Sequence, residues 1–382
     1  MSKAYGIEAK GKKLMPTYVH RRDLTPLDVM VTILYCGVCH SDKHHILNDW
    51  NDTIYPLVPG HEIVGVVDAV GNSVTHCKVG DYVAVGTMTD SCMHCTNCHK
   101  GEEQYCLQGG PTWVYNGRER LDEKGGRYLR PEGNRTYGGY SKNIVVQEHF
   151  VYLLPDNLDL AKCAPLLCAG ITTFTPLKEH RIGKGHKVGI AGIGGLGHLA
   201  IKFAKALGAE VVALTTSEWK LSSSKKLGAD DSVLVNQDFI DALNAMDKKE
   251  EEKKLTKRDT LLLNNVDLEY MGYFDLIIST IPVSHDITPY LQLLTTHGKL
   301  HLLGNFNSYP NLSGSKFIPH GKSITSSVAG GTINTREMLQ FCSQHHIEAD
   351  IQLINIKNIN NAIKSLSNNN VKYRYVIDMS TL

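Results

Sequence analysis

Four cysteines stand within sixteen residues, at Cys92, Cys95, Cys98 and Cys106 of "SCMHCTNCHKGEEQYC". Thiols at the spacing C-x2-C-x2-C-x7-C either bridge to one another or hold a metal. A loop so spaced can fold around one tetrahedral zinc. Four thiolates then fill the coordination sphere, so such a site holds structure and does not react. An iron–sulfur cluster also uses four cysteines, but the fourth is more often remote or followed by proline. A nucleic-acid-binding zinc module brings a basic, aromatic surface, and Glu102 and Glu103 argue against one. His94 and His99 offer substitute ligands, although thiolates match the regular spacing better. The favoured reading is a structural zinc.

A second set of metal-ligand types is scattered. Cys39 lies in "CGVCHSD", His61 and Glu62 in "PGHE", and Cys168 in "PLLCAG". Three donors of mixed sulfur and nitrogen character, remote in sequence, suit a catalytic zinc that keeps one position open. Taken singly, each has a plain alternative. Cys168 could be a small buried residue, and His61 a core histidine with its hydrogen bonds met. Their company with a dinucleotide motif is what sharpens the reading.

That motif is Gly192-x-Gly194-Gly195-x-Gly197, preceded by the strand-like "KVGIA" and followed by the helix-like "HLAIKFAKAL". The fingerprint demands this context: a tight turn, backbone close to a pyrophosphate, and a helix N-terminus facing the phosphate charge. Coenzyme choice is read at the end of the next strand, where an NAD site wants a carboxylate for the ribose 2′-hydroxyl. Here "VVAL" runs into Thr215, Thr216 and Ser217, with Lys220 beyond. Hydroxyls and a lysine suit a 2′-phosphate, which a carboxylate would repel. Glu218 is acidic and close, but it sits past the strand end and is expected to point away. NADP(H) is therefore the expected coenzyme.

The elements that must position these residues fall into two textures. From 29 to about 151 the chain is β-like, with "EIVGVVDAV", "GDYVAV" and "NIVVQEHFVYLL" broken by Gly71, Gly80 and Gly138-Gly139. Several short strands with such turns suggest a barrel or sandwich. "KVGIAGIGGLGHLAIKFAKALGAEVVAL" then reads strand, glycine turn, helix, strand, the unit of a parallel sheet. Apolar strands recur at "FDLIIST" and "GKLHLLG", a helix near "TREMLQFCSQHH" and a last strand at "YRYVIDM". Residues 247–258, "DKKEEEKKLTKR", carry Glu250 and Lys254 at i,i+4 spacing and read as a solvated surface helix or loop. The asparagine-rich "KNINNAIKSLSNNN" reads as compositional habit. No internal repeat is found.

Bulk numbers exclude several classes of function. The 382 residues, 42% apolar and 21% charged, describe a globular chain of two or three domains. Its 40 basic and 39 acidic residues balance to +1, which gives no reason to expect nucleic acid or a membrane surface as partner. The start shows no signal peptide, and no apolar run approaches the ~20 residues of a membrane span. A cytoplasmic location follows as an expectation, with the ten cysteines as thiols or metal ligands in a reducing compartment.

With these motifs in hand, the chain resembles the zinc-dependent medium-chain dehydrogenases/reductases, specifically the cinnamyl alcohol dehydrogenase group. The resemblance rests on "CGVCHSD", "YPLVPGHEIVG", the four-cysteine lobe, "GGYSKNIVV", "APLLCAGIT", "GIGGLGHLAIKFAKALGAEV" and "YRYVID", in the family's order over nearly the whole chain. It implies an α/β fold: a GroES-like β-barrel catalytic domain over 1–157 and 321–382, with the zinc lobe at about 88–110. A Rossmann domain, a doubly wound parallel sheet over 158–320, is inserted between, and the active site lies in the cleft. Cys39, His61 and Cys168 would bind the catalytic zinc, with Glu62 as an alternative fourth ligand. Cys92, Cys95, Cys98 and Cys106 fall on the structural zinc positions. Ser41 and His44 fall on the proton-relay positions, and Asp42 on the carboxylate that orients the zinc histidine. Ser217 and Lys220 match the positions that hold the 2′-phosphate. Trp50 and Trp113 fall in stretches that line the substrate pocket. Two zinc ions per chain, NADP(H) and a homodimer are implied.

The implied reaction interconverts primary alcohols and aldehydes by hydride transfer, mainly as aldehyde reduction. The substrate proton would pass through Ser41 to His44. The chain departs from the family at position 41, where serine replaces the commoner threonine and keeps the hydroxyl. It departs also in the charged insertion around 245–268 and in the stretch 107–136, where pocket details do not carry over. The rival readings are an NAD-linked alcohol or polyol dehydrogenase and, more remotely, a non-catalytic cofactor-binding protein on the same fold.

Overall fold

The protein is described by a computed structural model that takes in residues 1–120, 134–250, 255–265, 268–304, 312, 314–316, 318–366 and 371–382. The chain divides into two compact units, Met1–Ile171 with Ala329–Leu382, and Thr172–Val328.

In the first unit the strand Asp28–Val38 is the organising element. Its alternating apolar residues put Val29, Val31 and Ile33 into one core with Ile63, Val83, Val85, Ile144, Val146, Phe150 and Ile377. It pairs antiparallel with Ile63–Val70, Asn143–Gln147 and Arg374–Asp378. The sheet runs in the order Ile351–Asn355, Arg374–Asp378, Asp28–Val38, Ile63–Val70, Tyr82–Val85, Tyr152–Leu153. The last strand of the chain thus lies beside the end of the central one, with Tyr375 opposite Val38. The four-cysteine segment is bracketed by Met88–Asp90 and Thr112–Trp113, which pair antiparallel.

The second unit is a six-stranded parallel sheet in the order Asp231–Leu234, Glu210–Thr215, Lys187–Ala191, Phe274–Ser279, Leu294–Leu302, Ser323–Ser326. Numbered within the unit this is 3-2-1-4-5-6, the doubly wound order whose switch point lies beside its first strand. The strand residues Val212, Leu214, Phe274, Ile277 and Leu300 are buried in one core. The fold expected from the sequence, a GroES-like β domain with a Rossmann domain, is the fold found.

The anticipated elements have definite bounds. "TREMLQFCSQHH" belongs to the helix Thr332–His345 and "YRYVIDM" to the strand Arg374–Asp378. The charged segment adjoins two helices, Gln237–Glu250 and Lys257–Asn265, and Arg258 bonds Asp241 across them at 2.8 Å. Lys254, the expected partner of Glu250, lies outside the described residues. In the asparagine-rich stretch, Asn360 accepts from Leu14 N–H at 3.0 Å and donates to Leu14 C=O at 2.9 Å. This asparagine therefore has a structural task, tying the chain's last helix to its beginning. The end of that stretch, 367–370, lies outside the described residues. Among the described residues no single helix is long and apolar enough to cross a membrane.

Candidate active site

The scattered donors are delivered by three short stretches of the first unit. The strand Asp28–Val38 runs directly into Cys39, which caps the helix His40–Leu47. His61 and Glu62 immediately precede the strand Ile63–Val70, and Cys168 follows the 3-10 turn Ala164–Leu167. The donor atoms of Cys39, His61, Glu62 and Cys168 all lie within 4.8 Å of one another, and all four residues are buried. The two thiols are 3.9 Å apart. A disulfide needs about 2.05 Å, whereas two sulfurs bound at ~2.3 Å to one tetrahedral zinc stand ~3.8 Å apart. The spacing excludes a disulfide and is compatible with two ligands on one zinc.

The electrostatics carry the same message. The hydrogen bond from the Cys168 thiol holds Cys39 well below the usual thiol range, against the effect of burial. That bond and burial push Cys168 well up. Burial alone would depress His61, but Asp42 and the Cys39 thiolate outweigh it and push the imidazole up to about 10. The Asp42 carboxylate and the Cys39 sulfur thus favour positive charge at His61. Both Glu62 oxygens are buried and take no hydrogen bond among the described residues; the Arg374 guanidinium faces one of them as an ion pair. Two sulfurs, an imidazole and a carboxylate, all buried, fit zinc.

Asp42 is the hub of this region. It is fully buried. Its Oδ2 accepts from Cys39 N–H at 2.9 Å and from Tyr140 O–H at 3.1 Å, while Oδ1 accepts from Gly60 N–H at 3.0 Å and lies 3.0 Å from His61 Nδ1. One carboxylate thereby closes the helix N-terminus, fixes two of the three ligand-bearing stretches and turns His61 Nε2 away from itself. Ser41 Oγ lies 3.8 Å from Cys39 Sγ on the first turn of that helix. His44 lies one turn further, its Nδ1 2.8 Å from Asp49 Oδ2 and its ring 5.0 Å from that of Trp50. Trp50 also meets His45 edge-on at 4.8 Å; His45 meets Tyr115, and Tyr115 lies 5.7 Å from His61. An aromatic wall therefore runs from the donor cluster to His44. Trp113, the other expected pocket residue, is 37% exposed, opposite Met88 in its strand pair, and no described contact joins it to the cluster.

Cys92, Cys95, Cys98 and Cys106 form a second cluster, again within 4.8 Å and buried. Cys92 and Cys98 sulfurs are 3.8 Å apart, and none of the ten cysteines is bridged. The N–H groups of Cys95 and Leu107 point at the sulfurs of Cys92 and Cys95, the arrangement that stabilises thiolates. Burial opposes ionisation of Cys95, but such backbone donors bring it down to about 6, while burial pushes Cys98 up to about 12. His94 is exposed and turned to the Cys92 carbonyl at 2.6 Å, and His99 is exposed. Both stand outside the cluster. Glu103, far from being a surface acid, is fully buried and accepts from Thr332 N–H at 2.9 Å and Thr332 O–H at 2.8 Å, anchoring the lobe to the helix Thr332–His345.

In the second unit Gly192 follows the strand Lys187–Ala191 with φ +86°, and its N–H is held by Leu214 C=O at 3.0 Å. A Cβ on Gly197 would stand 2.1 Å from Gly192 O, so only glycine lets the helix Gly197–Ala206 start this close to the turn. Around Gly194 nothing lies within 4 Å of that position, which leaves the loop's backbone open to a phosphate. Gly195 completes the turn between them. Thr215 is buried at the end of the next strand and its Oγ1 accepts from Ser217 N–H at 3.2 Å; Thr216 is exposed. Glu218 is exposed, whereas Lys220 is 8% exposed, lies 5.2 Å from the Trp219 ring, and has no ion-pair partner among the described residues. Burial lowers its ammonium below the usual range.

Sequence reasoning named the donors and missed their supports. Arg374, Tyr140, Tyr115 and His45 had no assigned part. The one available signal was that "YRYVID" and "GGYSKN" sit among the motifs without a task of their own.

Comparison with known proteins accords with this geometry. Residues 25–156 match the family described as Alcohol dehydrogenase GroES-like domain, and residues 195–344 match Zinc-binding dehydrogenase. The aldehyde reductase YahK of Escherichia coli is 41% identical over 386 residues, covering 100% of this chain and 99% of its own length. A cinnamyl alcohol dehydrogenase from Sorghum bicolor superposes with a TM-score of 0.84 at 34% identity, covering 99% of this chain and 98% of that one. A CAD from Helicobacter pylori complexed with NADP(H) gives 0.83 at 37%, with the same coverage. Fold and site define a medium-chain oxidoreductase. The chain belongs to the zinc-type alcohol dehydrogenase family, and its activity is that of an alcohol dehydrogenase.

Proposed function

We propose that the chain is a zinc-dependent NADP(H) enzyme interconverting primary alcohols and aldehydes, working mainly as an aldehyde reductase on aromatic, cinnamyl or broad-range aliphatic substrates. The observation that carries this reading is the buried convergence of Cys39, His61, Glu62 and Cys168 within 4.8 Å. Cys39, His61 and Cys168 hold the catalytic zinc, with Glu62 as the exchangeable fourth donor. When bound, that zinc supplies Lewis acidity to polarise the substrate oxygen. Cys92, Cys95, Cys98 and Cys106 hold a second zinc that staples the lobe.

The chain's own residues do the rest. Asp42 orients His61, and in the reductive direction Ser41 relays a proton to the substrate oxygen from His44, which Asp49 and Trp50 hold in place; oxidation runs the relay in reverse. Trp50 lines the aldehyde pocket together with Trp113. The loop Gly192–Gly197 receives the pyrophosphate at a helix N-terminus. Thr215, Thr216, Ser217 and Lys220 receive the ribose 2′-phosphate. The buried ammonium of Lys220, with no ion-pair partner among the described residues, supports NADP(H) over NAD(H), as do the coenzyme of the Helicobacter relative and the aldehyde reductase name of the Escherichia coli one. A homodimer in a reducing, cytoplasmic compartment completes the reading.

A steady-state screen of cinnamaldehyde, benzaldehyde and short aliphatic aldehydes, with NADPH and NADH in parallel, tests it. NADPH is expected to support the faster reduction. Zinc-loaded protein that reduces none of these aldehydes overturns the reading, and preference for NADH moves it to an NAD-linked alcohol or polyol dehydrogenase, for which Glu218 beside the coenzyme strand is the supporting residue.

A further inference from the structure

Asp42 does more than face His61. Its two oxygens take four donors, and the one that belongs to neither ligand-bearing stretch is the Tyr140 hydroxyl, 3.1 Å from Oδ2. Tyr140 is fully buried, and burial followed by the Asp42 charge pushes its phenol well above the usual range, so it remains a donor. Its loop is tied down independently: Arg21 donates to Gly138 C=O at 3.0 Å and to Ser141 Oγ at 2.6 Å. Tyr115, from a different stretch, is also buried beside this group, its ring 5.7 Å from that of His61, and burial followed by the Asp42 charge pushes its phenol up as well.

We propose that Tyr140, seconded by Tyr115, is a positioning residue that sets how strongly His61 binds the metal. This inference rests on the zinc reading above. A carboxylate that hydrogen-bonds a ligand histidine raises the basicity of that ligand. Each further donor on the carboxylate disperses its charge and weakens that effect. The Tyr140 hydroxyl therefore moderates Asp42: it keeps His61 a weaker donor and the bound metal a stronger Lewis acid. Removing the hydroxyl returns charge to Asp42 and tightens the His61–metal bond. The phenol thus trades metal affinity for electrophilic strength.

The test uses full-length Tyr140→Phe and Tyr115→Phe beside the native enzyme, each first assayed for zinc content. Native protein that holds no zinc in this site contradicts the zinc reading itself, which separates that failure from failure of this proposal. With zinc present, release from the catalytic site into a chelator is expected to be slower in Tyr140→Phe than in the native enzyme. The ligand-field bands of the cobalt-substituted enzyme are expected to shift, and kcat to fall with KM for NADPH unchanged. A smaller change of the same sign is expected for Tyr115→Phe, which carries the test if Tyr140→Phe does not fold. Zinc release and cobalt bands matching the native enzyme, with only a lower melting temperature, overturn the proposal, as does faster zinc release.

Discussion

Cys39 and Cys168 stand 129 positions apart in the chain and bring their sulfurs to 3.9 Å. Neither belongs to the conspicuous cysteine cluster. The two thiols are unequal: one is held towards the thiolate, the other towards the thiol.

The buried partner of this site is Arg374, whose guanidinium faces Glu62 with both side chains almost wholly excluded from solvent. Substituting Arg374→Met leaves an uncompensated buried carboxylate, so denaturation of metal-depleted protein should show a loss of about 3–5 kcal/mol. Adding Glu62→Gln to the same chain removes that charge and should recover most of the loss. No recovery in the double variant would contradict the pairing.

The lobe should behave as a staple. Cys98 is buried against Cys92 and lies remote in sequence from the catalytic donors. Cys98→Ser should release one zinc per chain, lower the melting temperature and expose the lobe to limited proteolysis, yet leave coenzyme binding intact. Full zinc content with native melting would remove the structural assignment.

Lys220 should decide the coenzyme. Loss of a charge-assisted hydrogen bond is worth about 1.5–3 kcal/mol, so Lys220→Ala should raise KM for NADPH roughly 10- to 100-fold. KM for NADH should stay within about twofold. Equal effects on both coenzymes would show that Lys220 does not touch the 2′-phosphate.

His301 gives the second unit a pH dependence. It is fully buried in the strand Leu294–Leu302, 3.2 Å from His180 and bonded to Thr325 and Ser327 at 3.0 Å. Burial, with His180 second, pushes it down from 6.5 to about 4. Between these values the unfolded chain binds a proton that the folded chain refuses, so this stability is complete above pH 6.5 and is lost as pH falls towards 4. The loss is on the order of 3 kcal/mol across that window. Thermal unfolding from pH 7 to pH 4 should show it, and His301→Gln should flatten the slope.

Much of this was legible in the sequence because metal donors and glycine turns are chemically rare and declare themselves singly. Cys39, His61, Glu62 and Cys168 could be named before any fold was known, and the strand-turn-helix around Gly192 is a local pattern. The supports were not legible for a physical reason. Arg374, Tyr140 and Tyr115 act through contacts between stretches remote in sequence, and an arginine or tyrosine looks the same whether it is buried against a carboxylate or exposed. The burial of Glu103 was likewise not legible: nothing local shows that Thr332 and His149 close over that carboxylate.

The central claim is that the reactive metal belongs to the scattered donors and not to the dense cluster. Zinc content and turnover of Cys168→Ser test it most directly. The native chain should carry two zinc ions and reduce aldehydes with NADPH. Cys168→Ser should carry one, bind NADPH with unchanged affinity, melt close to the native temperature and show no measurable turnover. A Cys168→Ser protein that retains two zinc ions and native kcat would contradict the account.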